Sequence, residues 1–413
     1  STLMRSSAAS DVYKRQTFMI SKKYSSMLNN TSIIREFAQY ASKRAAEIGA
    51  ENVFNYTIGN PSVPTTDDFN KGLIDLIQNE DSLALHGYSP TLTIYSVRKA
   101  VAESLNRRFG MEYVPEDIFM TSGAAGALAH AIRCVTEPGD EVITFAPYFP
   151  EYVPYVDGTG AVLKVVPADI TSFQINFDAF LEMMNPNVQA ILINSPNNPS
   201  GIVYSTETIT HLAQILTEKQ EEYGHDIYLI SDEPYREIVF EGTDSPFISK
   251  FYDNTICCYS FSKSLSLPGE RIGYVAVNPK CKDAELIINM CGQVSRFTGH
   301  NCPSSLIQLG VARVLDETSD LSIYEKNKNI LYKELTAMGY ECVEPGGTFY
   351  MFPKTPIADA NEFCNMTAHE LDLILVPGDS FMCPGHMRLA YCTTTDMVER
   401  SLPLFEKAIK MCK

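Results

Sequence analysis

Seven short apolar runs, set apart by longer stretches with helical spacing, constrain this chain more than any other feature. They are DIFMTS (117–122), EVITFA (141–146), AVLKVV (161–166), QAILIN (189–194), IYLISD (227–232), TICCYS (255–260) and IGYVAV (272–277). The runs are largely continuous instead of alternating with polar residues, the pattern of strands buried on both faces. Such strands separated by helices build a largely parallel sheet with helices packed over it, an α/β layer architecture. Within TICCYS, the adjacent Cys257 and Cys258 then point to opposite faces. Ligands of these sheets gather at the carboxyl ends of the strands, so the residues following each run carry the functional question.

Around this rhythm the texture differs. Residues at about 34–49 read as a helix stopped by a glycine, and 94–109 as a second amphipathic helix. Past about residue 290 come a long helical region (303–338), a strand and turn in GYECVEPGGTFYMFPK, then LILVPGDSF, HMRLAYC and a closing helix. The expected organisation is a leader of cloning origin at 1–18 and an N-terminal segment at 19–65 that packs with the smaller domain. A large domain at 66–295 and a small α+β domain at 296–413 complete it. A net charge of −17 opposes a nucleic-acid surface, and no apolar run has the length of a bilayer-spanning helix. Eleven cysteines without a CxxC pair read as core thiols of a reducing compartment, the cytoplasm. No His, Cys or Asp cluster has metal-ligand spacing, so no metal is expected.

The strand ends supply the chemistry. DIFMTS leads into GAAGALAHAIRCV, where small residues opening a helix can cradle an anion on backbone N–H groups or merely make a tight turn. EVITFA leads to Tyr148, Phe149 and Tyr152, which serve as packing or as a plate for a flat heterocycle. QAILIN leads to SPNNPSG, a turn whose asparagine amides can also donate to a phenolate or carboxylate oxygen. IYLISD ends on Asp232, an ordinary helix cap or a carboxylate for a cationic ring nitrogen. TICCYS leads to Lys263 among Ser260, Ser262 and Arg271, a solvated loop or a phosphate cup around an amine made nucleophilic by burial and a nearby cation. Taken singly, the plain reading of each is the stronger. Together they match the demands of pyridoxal phosphate: a Schiff-base lysine, a carboxylate for the pyridinium and a phosphate pocket.

SPNNPSG, SDEPY and SFSKSLSLPGERIGY, in that order and at these spacings, resemble the class I/II aminotransferases, the aspartate-aminotransferase-like group of fold-type I enzymes. The resemblance extends from about residue 30 to the end. It implies a fold-type I pyridoxal-phosphate-dependent transferase with a seven-stranded, mainly parallel sheet domain and a smaller α+β domain. It implies that Lys263 carries the cofactor and later shuttles protons, and that Asp232 pairs with the pyridinium. Asn198 and Tyr235 then hold the ring hydroxyl oxygen. Ser260, Ser262, Arg271 and the Ala124 and Ala125 amides hold the phosphate. Phe149 stacks on the ring where better-known members use tryptophan, a residue this chain lacks. Arg388 in HMRLAYC holds the substrate α-carboxylate, aided by Asn198, and Gly59 in TIGNPSVP lets backbone approach the substrate. Tyr88 in HGYSPT reaches the neighbouring subunit's phosphate, which implies a homodimer with shared sites. One departure stands out: after YSPT the family usually has a glycine where this chain has Thr93.

The implied reaction is ping-pong transfer of an amino group between an L-amino acid, aspartate or another common one, and a 2-oxo acid. A C–S β-lyase, a decarboxylase or an aminocyclopropane-carboxylate-synthase-like enzyme would use the same parts. A regulatory module that senses the cofactor is the reading from a different class. It is opposed by the charge, by the short stretch between Met19 and Ile34, and by the presence of both Lys263 and Arg388. In RFTGHNCPSS (296–305), Arg296 or His300 could meet an acidic substrate side chain across a dimer or be plain surface cations.

Overall fold

In the computed structural model, residue 21, residues 24–25 and residues 33–412 are described; the expected leader, 1–18, lies outside them. A helix at Ile33–Ile48 is stopped by Gly49, whose φ of 92° suits a residue without a Cβ. A two-residue strand, β1 (Phe54–Asn55), follows.

All seven apolar runs form strands: β2 (Ile118–Thr121), β3 (Glu141–Phe145), β4 (Val162–Val166), β5 (Val188–Asn194), β6 (Tyr228–Asp232), β7 (Thr255–Ser260) and β8 (Gly273–Val277). They make one sheet in the order β2-β8-β7-β6-β5-β3-β4. The strands β3 to β7 pair in parallel, and β8 runs antiparallel to both neighbours. Of the seven, β4, at the edge, is the strand with exposed residues, and there AVLKVV carries Lys164. The central strands are wholly buried, with Leu229 and Ile230 at 0% exposure. Truncating either to alanine would cost about 2–5 kcal/mol. Cys257 and Cys258 do face opposite sides. Cys257 packs with Phe247 and Tyr274, whereas Cys258 packs against Ala131 and Cys291.

The remaining strands are β9 (Tyr350–Met351), β10 (Leu373–Ile374), β11 (Val376–Pro377) and β12 (Met387–Ala390). β12 lies antiparallel between β11 and β9, while β1 pairs in parallel with β10. Phe37, Ala41, Val53 and Tyr56 share a core with Leu331, Leu373 and Phe405, so the N-terminal segment packs on the C-terminal elements. The helical region expected at 303–338 is two helices, Ser305–Val311 and Ser322–Met338. Between them the Asp320 carboxylate accepts the Ser322 N–H and hydroxyl, at 3.1 and 2.6 Å, and offers the backbone an alternative to helix.

The turn with Thr93 forms despite the missing glycine. Thr93 sits at φ 71° and is buried, in the left-handed region that costs a β-branched residue about 1–2 kcal/mol. Its N–H donates to Pro90 O at 2.8 Å and its hydroxyl accepts the Met120 N–H of β2 at 3.4 Å, contacts that offset part of that cost.

Candidate active site

The carboxyl ends of the central strands open onto a cavity of about 410 Å³, closed from the other side by Thr57, Gly59, Tyr350 and Arg388. Of the sequence-predicted cofactor and substrate residues all line it except Tyr88, and the side-chain candidates Arg296 and His300 also lie outside it.

One end is built for an anion. The helix Gly123–Val135 starts directly after β2, and its N-cap, Ser122, makes no side-chain capping bond, which leaves the first amides available. Ala124 and Ala125 line the cavity there. A Cβ on Gly123 would lie 2.9 Å from the Arg271 guanidinium, so glycine is what admits that arginine to the helix end. Across from it, the Ser260 and Ser262 hydroxyls lie 2.7 Å apart, and Ser260 Oγ accepts the Ser262 N–H at 3.1 Å.

Asp232 ends β6 and is buried. Its Oδ2 accepts the Tyr152 hydroxyl at 2.6 Å, while its Oδ1 is buried without a partner. Burial pushes the carboxyl up to about 7; the Tyr152 hydroxyl pulls it down, and the charge of Glu233 pushes it further up. The Asn194 amide donates to Asp232 O at 2.9 Å and its Oδ1 accepts the Asn198 N–H at 2.7 Å, fixing the NNP turn to the aspartate. The Tyr235 hydroxyl donates to that of Tyr350 at 3.2 Å. Phe149 lines the cavity, edge-on to Tyr152 at 5.8 Å between centroids.

Lys263 stands on a one-turn helix, Phe261–Ser264, capped by Ser260. Its Nζ donates to Gly59 O at 2.6 Å and lies 5.3 Å from the Phe349 ring centroid. Burial brings the amine down to about 8; the Cys392 thiol opposes this, and the Arg271 and Arg388 cations assist it. A Cβ on Gly59 would overlap the Tyr350 hydroxyl, so this stretch of backbone reaches the lysine only as glycine.

Arg388, in β12, is buried beside the Tyr350 and Phe381 rings, at 4.7 and 4.9 Å. It donates to Asn198 Oδ1 at 3.1 Å and to Thr57 O. Its Nε is buried without a partner, and among the described residues no carboxylate pairs with it. Unpaired buried polar groups cost about 1–3 kcal/mol each. Here an acceptor, a guanidinium and an uncapped helix end share one cavity with a lysine amine brought down to about 8. That donor set fits pyridoxal phosphate together with a substrate carboxylate.

Tyr88 is fully exposed and lines a second cavity, of about 640 Å³, with Arg296, Cys302 and Ser305. His300 is exposed and does not line either cavity. Sequence reasoning overlooked several residues. The sequence marks Tyr152 only as an aromatic and assigns no role to Thr57, Asn194, Tyr350 or the mouth pair Arg35–Glu151, 3.7 Å apart. Asn194 closes an apolar run, as Asp232 does, and that position was the available signal.

The sequence profile described as "Aminotransferase class I and II" matches residues 51–402. A solved amino transferase from Eubacterium rectale is similar at 44% identity and a TM-score of 0.92, covering 95% of this chain and 99% of that one. The aspartate aminotransferase of Thermotoga maritima is 30% identical over 363 residues, 86% of this chain and 91% of its own length. Aromatic-amino-acid aminotransferase 2 of Thermococcus litoralis is 28% identical over 380 residues, 88% of this chain and 93% of its own.

Proposed function

The chain belongs to the class I and II aminotransferases, and from that premise we propose that it uses pyridoxal 5′-phosphate, held in the strand-end cavity, to exchange an amino group between an L-amino acid and a 2-oxo acid. The observation that carries this reading is the convergence of unpartnered Asp232 Oδ1, a Lys263 amine brought down to about 8 and the buried Arg388 on one cavity.

Bound there, the cofactor supplies an electron sink for the charge that develops at the substrate Cα. The protein does the rest. Arg271, the Ser260 and Ser262 hydroxyls and the Ala124 and Ala125 amides hold the phosphate dianion by charge-assisted hydrogen bonds. Asp232 Oδ1, paired with a ring N–H, keeps that proton in place, and Tyr152 holds the carboxylate's other oxygen. Tyr235 and Asn198 donate to the ring hydroxyl oxygen, and Phe149 covers one ring face. Arg388 offers its fork to the substrate α-carboxylate and so orients the Cα–H bond. Lys263 Nζ, neutral in an appreciable fraction near pH 8, would carry the cofactor and, once a substrate amine had displaced it, would take the Cα proton as a general base. Gly59 O accepts from that amine and limits where it can swing.

The same reading assigns Tyr88 and Arg296 to the site of a second copy, in a homodimer whose sites are shared. It sets domain limits at 66–295 and 296–413, with the described residues 33–65 packing on the smaller domain. It also assigns the protein to the cytoplasm; among the described residues no helix is long and apolar enough to cross a membrane. Aspartate is one donor the reading admits, and relatives named for aspartate and for aromatic amino acids leave the side-chain preference open. Amino donors screened against 2-oxoglutarate, pyruvate and oxaloacetate should give transfer for at least one pair. Release of ammonia, thiol or carbon dioxide without transfer would favour a lyase or decarboxylase instead. Cofactor binding with no turnover of any donor would favour a sensing module.

A further inference from the structure

The turn leaving β6 sends its side chains into two different surroundings. Asp232 and Tyr235 line the cavity. Glu233 and Arg236, interleaved with them, enter the core behind the sheet, where Cys257, Phe247, Tyr259 and Tyr274 pack. Their side chains are only 3% and 8% exposed. Each arm of the Arg236 guanidinium has its own partner. Nε donates to Glu233 Oε2 at 2.6 Å, Nη1 to the Tyr274 hydroxyl at 2.9 Å and Nη2 to Cys257 Sγ at 2.7 Å. The group also lies over the Tyr259 ring at 4.4 Å. The Glu233 N–H donates to Cys258 O at 2.8 Å, tying the start of the turn to β7.

Stability alone does not call for a buried ion pair at this place, because apolar replacements of similar volume are often neutral or stabilising. A planar cation engaged from three directions does what apolar packing cannot: it fixes the rotation of the turn that carries it. Rotating that turn would swing Asp232 and Tyr235 away from the cavity. We infer that the Glu233–Arg236 pair is a positioning device that clamps this turn from behind, so that Asp232 Oδ1 and the Tyr235 hydroxyl meet the cofactor ring. Neither residue touches the cavity. The inference rests on the reading of the cavity as a pyridoxal-phosphate site.

The decisive variant is the double replacement Glu233→Leu/Arg236→Met, which removes both charges together. It should melt close to the wild-type temperature. Its cofactor dissociation constant, measured by equilibrium dialysis, should rise about tenfold, equivalent to about 1.4 kcal/mol. The pH midpoint of the bound cofactor's visible absorption should shift as well. Arg236→Lys keeps the charge but cannot serve three partners at once, so it should lose affinity to a similar degree and provides the test if the double variant does not fold. Leu216→Ala, in the separate core under the Thr206–Tyr223 helix, should lower the melting temperature and leave the midpoint unmoved. Wild-type affinity and midpoint in the folded variants would overturn the inference, as would an equal midpoint shift in Leu216→Ala. A wild-type protein that binds no pyridoxal phosphate would instead remove the premise itself.

Discussion

The two cavities differ in how much of their chemistry a single chain completes. At the strand ends, Asp232, Asn198 and Arg388 are buried and already held by Tyr152, Asn194 and Thr57. Around the second cavity, Tyr88 is fully exposed and Arg296 is exposed, its side chain donating to its helical neighbour Gln293 at 3.0 Å; the adjoining Phe297 is 88% exposed. The first is organised before any ligand arrives, which is what electrostatic catalysis requires. The second offers exposed side chains, which the proposed homodimer would cover. The contrast suits a chain that carries one nearly finished site and lends a few residues to another.

Lys263→Ala should strike the first cavity hardest, lowering turnover by at least about 10⁴-fold and abolishing the cofactor's lysine-linked visible absorbance. Asp232→Asn comes next, with a loss of roughly 10²–10³-fold, because it leaves a ring proton without its counter-charge. Arg388→Lys should reduce kcat/KM by about 10²-fold while cofactor affinity stays near wild type, since a point charge cannot replace the bidentate fork. Steady-state kinetics and cofactor titration separate these outcomes.

A pH test sharpens the comparison. In the cofactor-free protein the Asp232 carboxyl is pushed up to about 7, against about 3.9 in an unfolded chain. The folded state therefore keeps a proton that the unfolded state has lost over this interval. Its contribution to stability is full below about pH 4 and is lost as pH rises through 7. Urea unfolding of wild type and Asp232→Asn should differ by this slope, wild type losing on the order of 3–4 kcal/mol relative to the variant across the window. Equal slopes would show that the carboxyl is not held protonated.

For the second cavity, Tyr88→Ala should weaken cofactor binding by about tenfold, the loss of one hydrogen bond to a charged group. If sites are shared, mixing Tyr88→Ala with Lys263→Ala subunits creates hybrids with one native site, and at cofactor concentrations well below the dissociation constant of Tyr88→Ala the mixture's activity should exceed that of either variant alone. The smallest effect is expected at Thr93→Gly, which relieves the left-handed strain but gives up the hydroxyl's bond to Met120 N–H. The net change in unfolding free energy should stay within about 1 kcal/mol.

Much of the fold was legible because it rests on local pattern. Each apolar run is both a strand and a statement about burial, and Cys257 and Cys258 declare two covered faces by adjacency alone. The break at 312–321 was not legible, since apolar spacing continues on either side; the chain turns after Val311, and Asp320 meets Ser322 where the second helix begins. At the site, Asp232, Asn198, Lys263 and Arg271 stood out only as a set and through the family resemblance, and the strand-end cavity brings all four together. Tyr350 and Thr57 did not stand out, because they meet Tyr235 and Arg388 from 115 and 331 residues away in sequence. Tyr152 shows the intermediate case: its motif was noticed, but its partner lies 80 residues on, at Asp232.

The most direct test is to load the protein with pyridoxal phosphate, reduce it with borohydride and map the modified peptide by mass spectrometry. A single phosphopyridoxyl group on Lys263, lost when an amino-acid donor is added before reduction, is the predicted result. Modification of a different lysine, or none at all, would contradict the account.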